Sequence, residues 1–275
     1  MLKQSWADPG EESIDDYQYW DDTLFVIGNH DVWLNANYNM ASQAQLYAKF
    51  FSHASSAGMI MAPNTTYWKK VYSEKNIMLI GLNCMLINSA EQEAQMTFLN
   101  TALEEALNNN YRVIIAYHWC LNVPLTSLNS TFKTADVTKF YNGISHSELK
   151  NQTQAFENAL LAKIDEFISR GGLFACWLTG HSHTDDIGYY NGTHNQVFIN
   201  LTSLRWLSYE DYGTYTHGYN YTDWVAFNIV QITKDNTIKV NRYGGRIGMS
   251  GSNLFSCELN FNGQIIEDTI NLTRE

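Results

Sequence analysis

The chain alternates short apolar runs with segments in which apolar residues recur three or four positions apart. The runs at 23–27, 77–82 and 111–119, and the run LFACWLT that begins at residue 173, have the length of buried strands. The segments 39–55, 91–110 and 153–172 have the spacing of amphipathic helices. Strands that alternate with helices are typical of an α/β fold whose sheet is partly parallel.

Two further patterns indicate antiparallel structure. Residues 67–72 and 77–82 flank a Ser-Glu-Lys-Asn turn, which predicts a hairpin. After residue 195 the segments NQVFINLTSL, VAFNIVQI and TIKVNRY read as strands without an intervening helix. We therefore predict an α/β sandwich of mixed sheets flanked by helices.

Changes in composition suggest the limits of the folded part. Residues 1–22 are polar and acidic and read as a loop or terminal segment. We interpret 23–246 as one α/β domain and 247–275 as a C-terminal β extension. The stretch 121–150 is rich in Ser, Thr and Asn, and we interpret it as an insertion or lid.

Charge and hydropathy exclude some partners. The chain has 17 Lys and Arg against 28 Asp and Glu, a net charge of −11, and shows no basic cluster that would bind a nucleic-acid backbone. No apolar run approaches the roughly 20 residues of a membrane-spanning helix, so we expect no membrane insertion. The first residues show no signal peptide. We expect buried free thiols rather than disulfides at the four cysteines, Cys84, Cys120, Cys176 and Cys257.

Seven Asn-x-Thr sequons would suit a glycosylated secreted protein. They lie at Asn64, Asn129, Asn151, Asn191, Asn200, Asn220 and Asn271. A chain rich in Asn and Thr also produces several sequons by chance, and we favour that interpretation. The sequence leaves the localisation open.

Polar side chains that suit metal binding follow three of the predicted strands. Asn29, His30 and Asp31 follow LFVI, His118 follows VIIAY, and His181 and His183 follow LFACWLT. Sites assemble at the C-terminal ends of strands in α/β sheets. Imidazoles with amide or carboxylate oxygens suit Zn, Mn or Fe. These strand ends therefore predict a metal site.

The three motifs resemble a known family. GNHD at 28–31, the YHW that contains His118 and GHSH at 180–183 are similar to the last three motif blocks of the calcineurin-like metallophosphoesterases. The hairpin sequence YWKKVYSEKNIMLIGLN and the following helix, with Gln95 and Leu99, resemble the scaffold of that family. The resemblance covers about residues 23–246.

The resemblance implies a role for each motif residue. Asn29, His118 and His181 would bind the second metal ion, and His183 would bind the first. His30 would contact the phosphate and act as general acid or transition-state stabiliser. Asp31 would orient the ring of His30.

The family also implies cofactors and a reaction. Two divalent or trivalent metal ions (Mn, Fe, Zn or Mg) would activate a water that attacks the phosphorus of a small phosphorylated substrate, a mono- or diester. Arg205 follows the strand after GHSH and is a candidate phosphate contact, with a surface ion pair as the alternative. His217, in an aromatic stretch, is a candidate substrate contact.

Two earlier blocks of the family have no counterpart in this sequence. They are an Asp-x-His after the first strand and a Gly-Asp after the second, which supply the carboxylate ligands. We expect a chain that lacks the first strands of a longer phosphoesterase, with impaired activity on its own. The alternative is a degenerate relative that binds one metal ion or none. An upstream reading frame encoding both blocks would decide in favour of the first.

Two other classes of protein compete with this interpretation. Metallo-β-lactamase-type hydrolases carry His-x-His-x-Asp-His, and residues 181–186 read His-Ser-His-Thr-Asp-Asp. That motif lies early in its family, whereas here it lies late. A non-catalytic binding module is the other alternative, because the aromatic stretch 205–224 could stack on a sugar or base.

Overall fold

The larger of two sheets organises the molecule. The structure, a computed structural model, describes residues 24–28, 31–32, 41–86, 88–119, 121, 125–127, 147–180, 186–200, 226–244 and 254–272. The helices are α1 (Gln43–Phe50), α2 (Ser89–Asn109) and α3 (Ser147–Ser169). The strands are β1 (Trp68–Tyr72), β2 (Ile77–Leu82), β3 (Arg112–Tyr117), β4 (Leu125–Ser127), β5 (Leu173–Thr179), β6 (Asp186–Asn191), β7 (Asn195–Asn200), β8 (Ala226–Ile232), β9 (Thr237–Gly244), β10 (Leu254–Asn260) and β11 (Ile265–Leu272).

The larger sheet is mixed. Its seven strands lie in the order β1-β2-β3-β5-β7-β6-β4. The four central strands β2, β3, β5 and β7 are parallel, and the outer strands pair antiparallel. All four parallel strands therefore end on the same side, which we call the carboxyl edge. The opposite side, where they begin, is the amino edge.

The smaller sheet covers one face of the larger one. It is antiparallel throughout, in the order β11-β10-β9-β8. Its inward residues include Ile238, Val240 and Leu259, which pack with Ile114 and Ile199 of the larger sheet. Residues of α1, α2 and α3 join the core on the other face. The predicted α/β sandwich is confirmed, with three layers in the described residues: helices, mixed sheet and antiparallel sheet.

Side chains along the central strands alternate between the two cores. In β3, Val113 and Ile115 belong to the core on the helix face and Ile114 to the core between the sheets. In β5, two consecutive residues, Ala175 and Cys176, belong to the core between the sheets. The pairing of β3 with β5 shifts register at this point. A bulge of this kind places two neighbours on one face.

Local sequence explains where the elements begin and end. The predicted β1–β2 hairpin is confirmed, and its turn ends at Asn76 with φ 53°. Asn tolerates this left-handed conformation better than most residues. Asn88 caps the start of α2, and Asn110 ends it with φ 56°. Helix α1 is shorter than predicted, since its capping box begins at Ser42 and turns follow Phe51.

One predicted strand is wrong. Residues 24–28 pack on the core, with Ile27 buried, yet they join neither sheet. Side chains instead reach two of the backbone carbonyls of this segment. The Trp68 indole Nε1 donates to the oxygen of Phe25 at 2.5 Å, and the Cys84 thiol lies 3.6 Å from the oxygen of Ile27.

The described residues test three other predictions in part. Cys84, Cys176 and Cys257 are buried and form no disulfide, as predicted, and Cys120 lies outside the described residues. None of the described helices combines the length and apolar character that crossing a membrane requires. The segment 1–22 and most of 121–150 lie outside the described residues, although β4 pairs with β6.

Candidate functional site

The predicted site residues divide into two groups. Asp31 and His118 belong to the described residues. The others lie outside them, and these are Asn29, His30, His181, His183, Arg205 and His217. Gly28, which precedes Asn29, and Gly180, which precedes His181, are described. The geometry of the site is therefore built from these two glycines, Asp31 and His118.

Gly28 lies directly against the imidazole of His118. A Cβ atom at position 28 would lie 2.8 Å from Cε1 and 2.9 Å from Nδ1 of that ring. Real Cβ atoms essentially never come so close to ring atoms, so only glycine allows this contact. Gly28, the first residue of the GNHD motif, and His118, 90 positions later, are thus in contact at the carboxyl edge.

His118 also contacts the start of the GHSH motif. It follows β3 directly and is partly buried. Its backbone carbonyl accepts a hydrogen bond from the N–H of Gly180 at 3.0 Å, immediately after β5. Since β3 and β5 pair in parallel, this bond extends their ladder by one step. Residues from all three predicted strand ends therefore meet at His118.

Asp31 closes a turn around the glycine. Its Oδ2 accepts a hydrogen bond from the N–H of Gly28 at 2.8 Å, and its own N–H donates to the oxygen of Gly28 at 3.2 Å. The carboxylate thus stabilises the backbone that holds Gly28 against His118. The predicted contact between Asp31 and the ring of His30 lies outside the described residues.

A buried amide network fixes the end of β2 beside the site. The Gln95 side chain accepts from the N–H of Asn83 at 2.8 Å and donates to its carbonyl at 3.1 Å. Asn83 Nδ2 donates to Thr66 Oγ1 at 2.7 Å. All three residues are buried. The resemblance singled out Gln95 only as scaffold, whereas the structure shows that it holds the strand end to α2.

Cys84 is a neutral buried thiol beside this network. Burial, followed by the negative charge of Glu157, raises the pKa of Cys84 well above its usual value. The charge of Asp31 acts in the same direction with a smaller effect. A thiol with a raised pKa is neither a ready nucleophile nor a thiolate ligand for a metal.

Sequence reasoning missed Glu157. This residue is 1% exposed, and the hydroxyl of Tyr117 donates to its Oε1 at 3.5 Å. A signal was present, since Glu157 lies three and four positions before the buried residues Leu160 and Leu161 of α3. A carboxylate on the apolar face of a helix is unusual enough to examine.

The metal prediction rests on residues the structure describes only in part. Among the described residues, no three His, Cys, Asp or Glu side chains form a group that could hold a metal ion. His118 is the one predicted ligand in that part of the chain.

Comparisons with known proteins give a distant likeness in structure and none in sequence. No protein-family model matches the sequence, and no curated protein matches it. In structure the chain is similar to a dimetal phosphatase from Danio rerio, with 13% sequence identity and a TM-score of 0.46 over 86% of this chain and 71% of that chain. A likeness this distant assigns neither an activity nor a ligand to this chain.

Proposed function

We propose that the chain is a metallophosphoesterase of the calcineurin-like kind, which hydrolyses a phosphate mono- or diester. Asn29, His118 and His181 would bind one metal ion, and His183 the other. His30 would contact the phosphate and act as general acid or transition-state stabiliser, and Asp31 would orient its ring. Arg205 and His217 would contact the substrate.

The proposal is supported above all by the meeting of three motifs at His118. Gly28 packs against its imidazole, and Gly180 donates to its carbonyl. In the sequence, Asn29 follows the first glycine directly and His181 follows the second. Three of the four proposed ligands are thus His118 itself and the residues next to its two glycine contacts.

The chemistry of the proposed ligands suits a metal ion, and His118 is the one of them that the structure describes. A Cβ atom at position 28 would overlap the His118 ring, so the ring can occupy this position only because residue 28 is glycine. Neutral imidazole nitrogens and an amide oxygen are ligands that Zn, Mn and Fe accept. Bound ions of this kind supply a Lewis acid for phosphoryl oxygens and lower the pKa of water.

The proposed ligand set is neutral except for what a substrate or solvent adds. The hard ion Mn²⁺ binds imidazole and amide ligands without carboxylates more weakly than a set that includes them, because no ligand charge offsets that of the ion. We therefore expect weak metal binding by the 275-residue chain. Metal affinity is the primary measurement, and hydrolysis is the second.

The test compares two histidines at opposite edges of the larger sheet. Metal-free protein is titrated with Mn²⁺ by calorimetry, and hydrolysis of p-nitrophenyl phosphate and bis-p-nitrophenyl phosphate is measured with Mn²⁺ present. His118→Gln should weaken Mn²⁺ binding and lower hydrolysis by about tenfold or more. His194→Gln is the control, since His194 lies between β6 and β7 at the amino edge.

Three outcomes contradict the proposal. Equal metal affinity in the wild-type protein and His118→Gln would remove His118 from the ligand set. Protein that binds no metal and hydrolyses neither ester would favour the binding module instead. Hydrolysis of a β-lactam without hydrolysis of either phosphate ester would favour the metallo-β-lactamase-type alternative.

A further inference from the structure

The number of glycosylation sequons exceeds what the composition produces, so the expectation that they arise by chance is wrong. The chain holds 28 Asn and 21 Thr among 275 residues. Random order of these residues would give about two Asn-x-Thr sequons, the acceptor pattern for N-linked glycans. The sequence holds seven. Its 19 Ser would give about as many Asn-x-Ser by the same reasoning, and the sequence has none. The excess is confined to one of the two sequon types, which an Asn-rich composition does not explain.

The structure describes the side-chain surroundings of two sequons. Asn64 is exposed in the turn before β1, where its φ is 59°. Asn191 is exposed at the end of β6, and Thr193 of the same sequon is exposed as well. A bulky glycan requires an asparagine side chain that points into solvent, commonly in a surface turn. Both described residues meet that requirement.

Helix α3 stabilises the turn that carries Asn191. Asp165 on α3 accepts hydrogen bonds from the N–H groups of Thr193 and His194, at 3.0 and 3.1 Å. Asn191 pairs with Asn195 across the hairpin. These bonds use backbone groups on the inner side of the turn, so a glycan on the Asn191 side chain would disrupt none of them.

Neither attachment would disturb the core. Asn191 lies at the amino edge, opposite His118. At the other sequon the threonine is buried, and Thr66 Oγ1 accepts from Asn83 Nδ2, while Asn64 itself remains exposed. A glycan on Asn64 therefore needs no rearrangement of the amide network.

We propose that Asn64 and Asn191 carry N-linked glycans, and hence that the chain passes through the secretory route. The proposal does not depend on the proposed hydrolase activity. The described cysteines are compatible with an oxidising compartment because the thiols of Cys84, Cys176 and Cys257 are all buried. Burial keeps oxidants from them and raises the pKa of Cys84 and Cys176.

The direct test uses protein isolated from its source cells. It is digested with peptide-N-glycosidase F in heavy-oxygen water, which converts each glycosylated Asn into a labelled Asp, and the peptides are mapped by mass. We expect labelled Asp at positions 64 and 191. If one position is recovered entirely as unlabelled Asn, the assignment of that site is overturned. If both positions are recovered as unlabelled Asn, the proposal is overturned.

A matched pair of variants separates modification from misfolding. The full chain is directed into the secretory route of a eukaryotic host, and its mobility is compared before and after glycosidase treatment. Thr193→Ser keeps the sequon and should keep the glycan, whereas Thr193→Ala removes the hydroxyl and should lose one glycan's mass. Asn64→Asp, chosen because Asp also tolerates the left-handed turn, should lose another. Equal mobility of the Thr193→Ser and Thr193→Ala proteins would contradict the assignment of Asn191.

Discussion

The two edges of the larger sheet use polar groups differently. At the amino edge, charged side chains bond to neighbouring turns: Arg112 donates to Asn236 Oδ1 at 2.7 Å and to the oxygen of Lys234 at 2.5 Å. Asp165 accepts from the turn between β6 and β7 in the same way. At the carboxyl edge, by contrast, glycines bring backbone segments against the partly buried His118.

The contacts at the amino edge stabilise the fold, whereas those at the carboxyl edge also position His118. Hydrogen bonds donated by Arg112 and accepted by Asp165 hold the turns of the amino edge. In the described part of that edge, no histidine lies beside a predicted metal-binding motif. The contacts of Gly28 and Gly180 bring three distant parts of the chain to one histidine. We expect substitutions at the amino edge to change stability alone, and those at the carboxyl edge to change stability and the site together.

The largest effect should come from the buried amides. Gln95→Leu removes both bonds to the Asn83 backbone and leaves a buried N–H and carbonyl unpaired, which should lower the free energy of unfolding by about 2–4 kcal/mol. Gln196→Leu is the matched variant at the amino edge, because Gln196 is equally buried and bonds Trp177 Nε1, Leu161 and Asp165.

Urea unfolding measures both stabilities, and Mn²⁺ titration measures the site. Both variants should lose stability, and only Gln95→Leu should also weaken Mn²⁺ binding. Equal effects of the two variants on metal binding would contradict the proposed separation of the edges.

A smaller effect is expected when a methyl group is forced into each edge. Gly28→Ala would place a Cβ 2.8 Å from the His118 ring, and Gly172→Ala would place one 2.5 Å from the Phe167 ring. Overpacking of this kind costs about 1–3 kcal/mol in stability. Displacement of the His118 ring should in addition lower Mn²⁺ affinity by about tenfold.

The imidazole resonances of His118 in NMR spectra report its position without requiring activity. They should shift in Gly28→Ala and remain unchanged in Gly172→Ala, while both proteins unfold at lower urea concentration. Unchanged His118 resonances in a folded Gly28→Ala protein would show that this contact does not position the ring.

The smallest effect near neutral pH concerns two buried thiols. Burial and the charge of Glu157 raise the pKa of Cys84, and burial raises that of Cys176. In the unfolded chain each thiol ionises near its usual value of 9.0, whereas in the folded protein it stays protonated. The stability contributed by each thiol is therefore fully present below pH 9 and is lost as the pH rises above it.

Urea unfolding between pH 8 and pH 10.5 tests this sign. Each thiol should contribute a slope of up to about 1.4 kcal/mol per pH unit above pH 9, so Cys84→Ala and Cys176→Ala should each reduce the alkaline loss of stability. A variant whose stability falls as steeply as that of the wild-type protein would show that its thiol ionises equally in both states.

The sequence by itself determined the elements whose signal is local. Apolar spacing predicted α2 and α3, and the turn ending in Asn76 predicted the β1–β2 hairpin. Continuous apolar runs predicted the central strands β2, β3 and β5, which the structure confirms, because strands buried on both faces are apolar at nearly every position. The sequence also identified the motifs that contain Gly28, His118 and Gly180.

Only the tertiary structure decided which of these residues meet. The apolar run at 24–27 has the composition of a strand, yet its backbone carbonyls accept hydrogen bonds from the side chains of Trp68 and Cys84. No local pattern reveals that Gly28 packs on His118, since 90 residues separate them. Such contacts depend on the order of the strands and on the parallel alignment of their ends, which the whole chain determines when it buries both faces of the larger sheet.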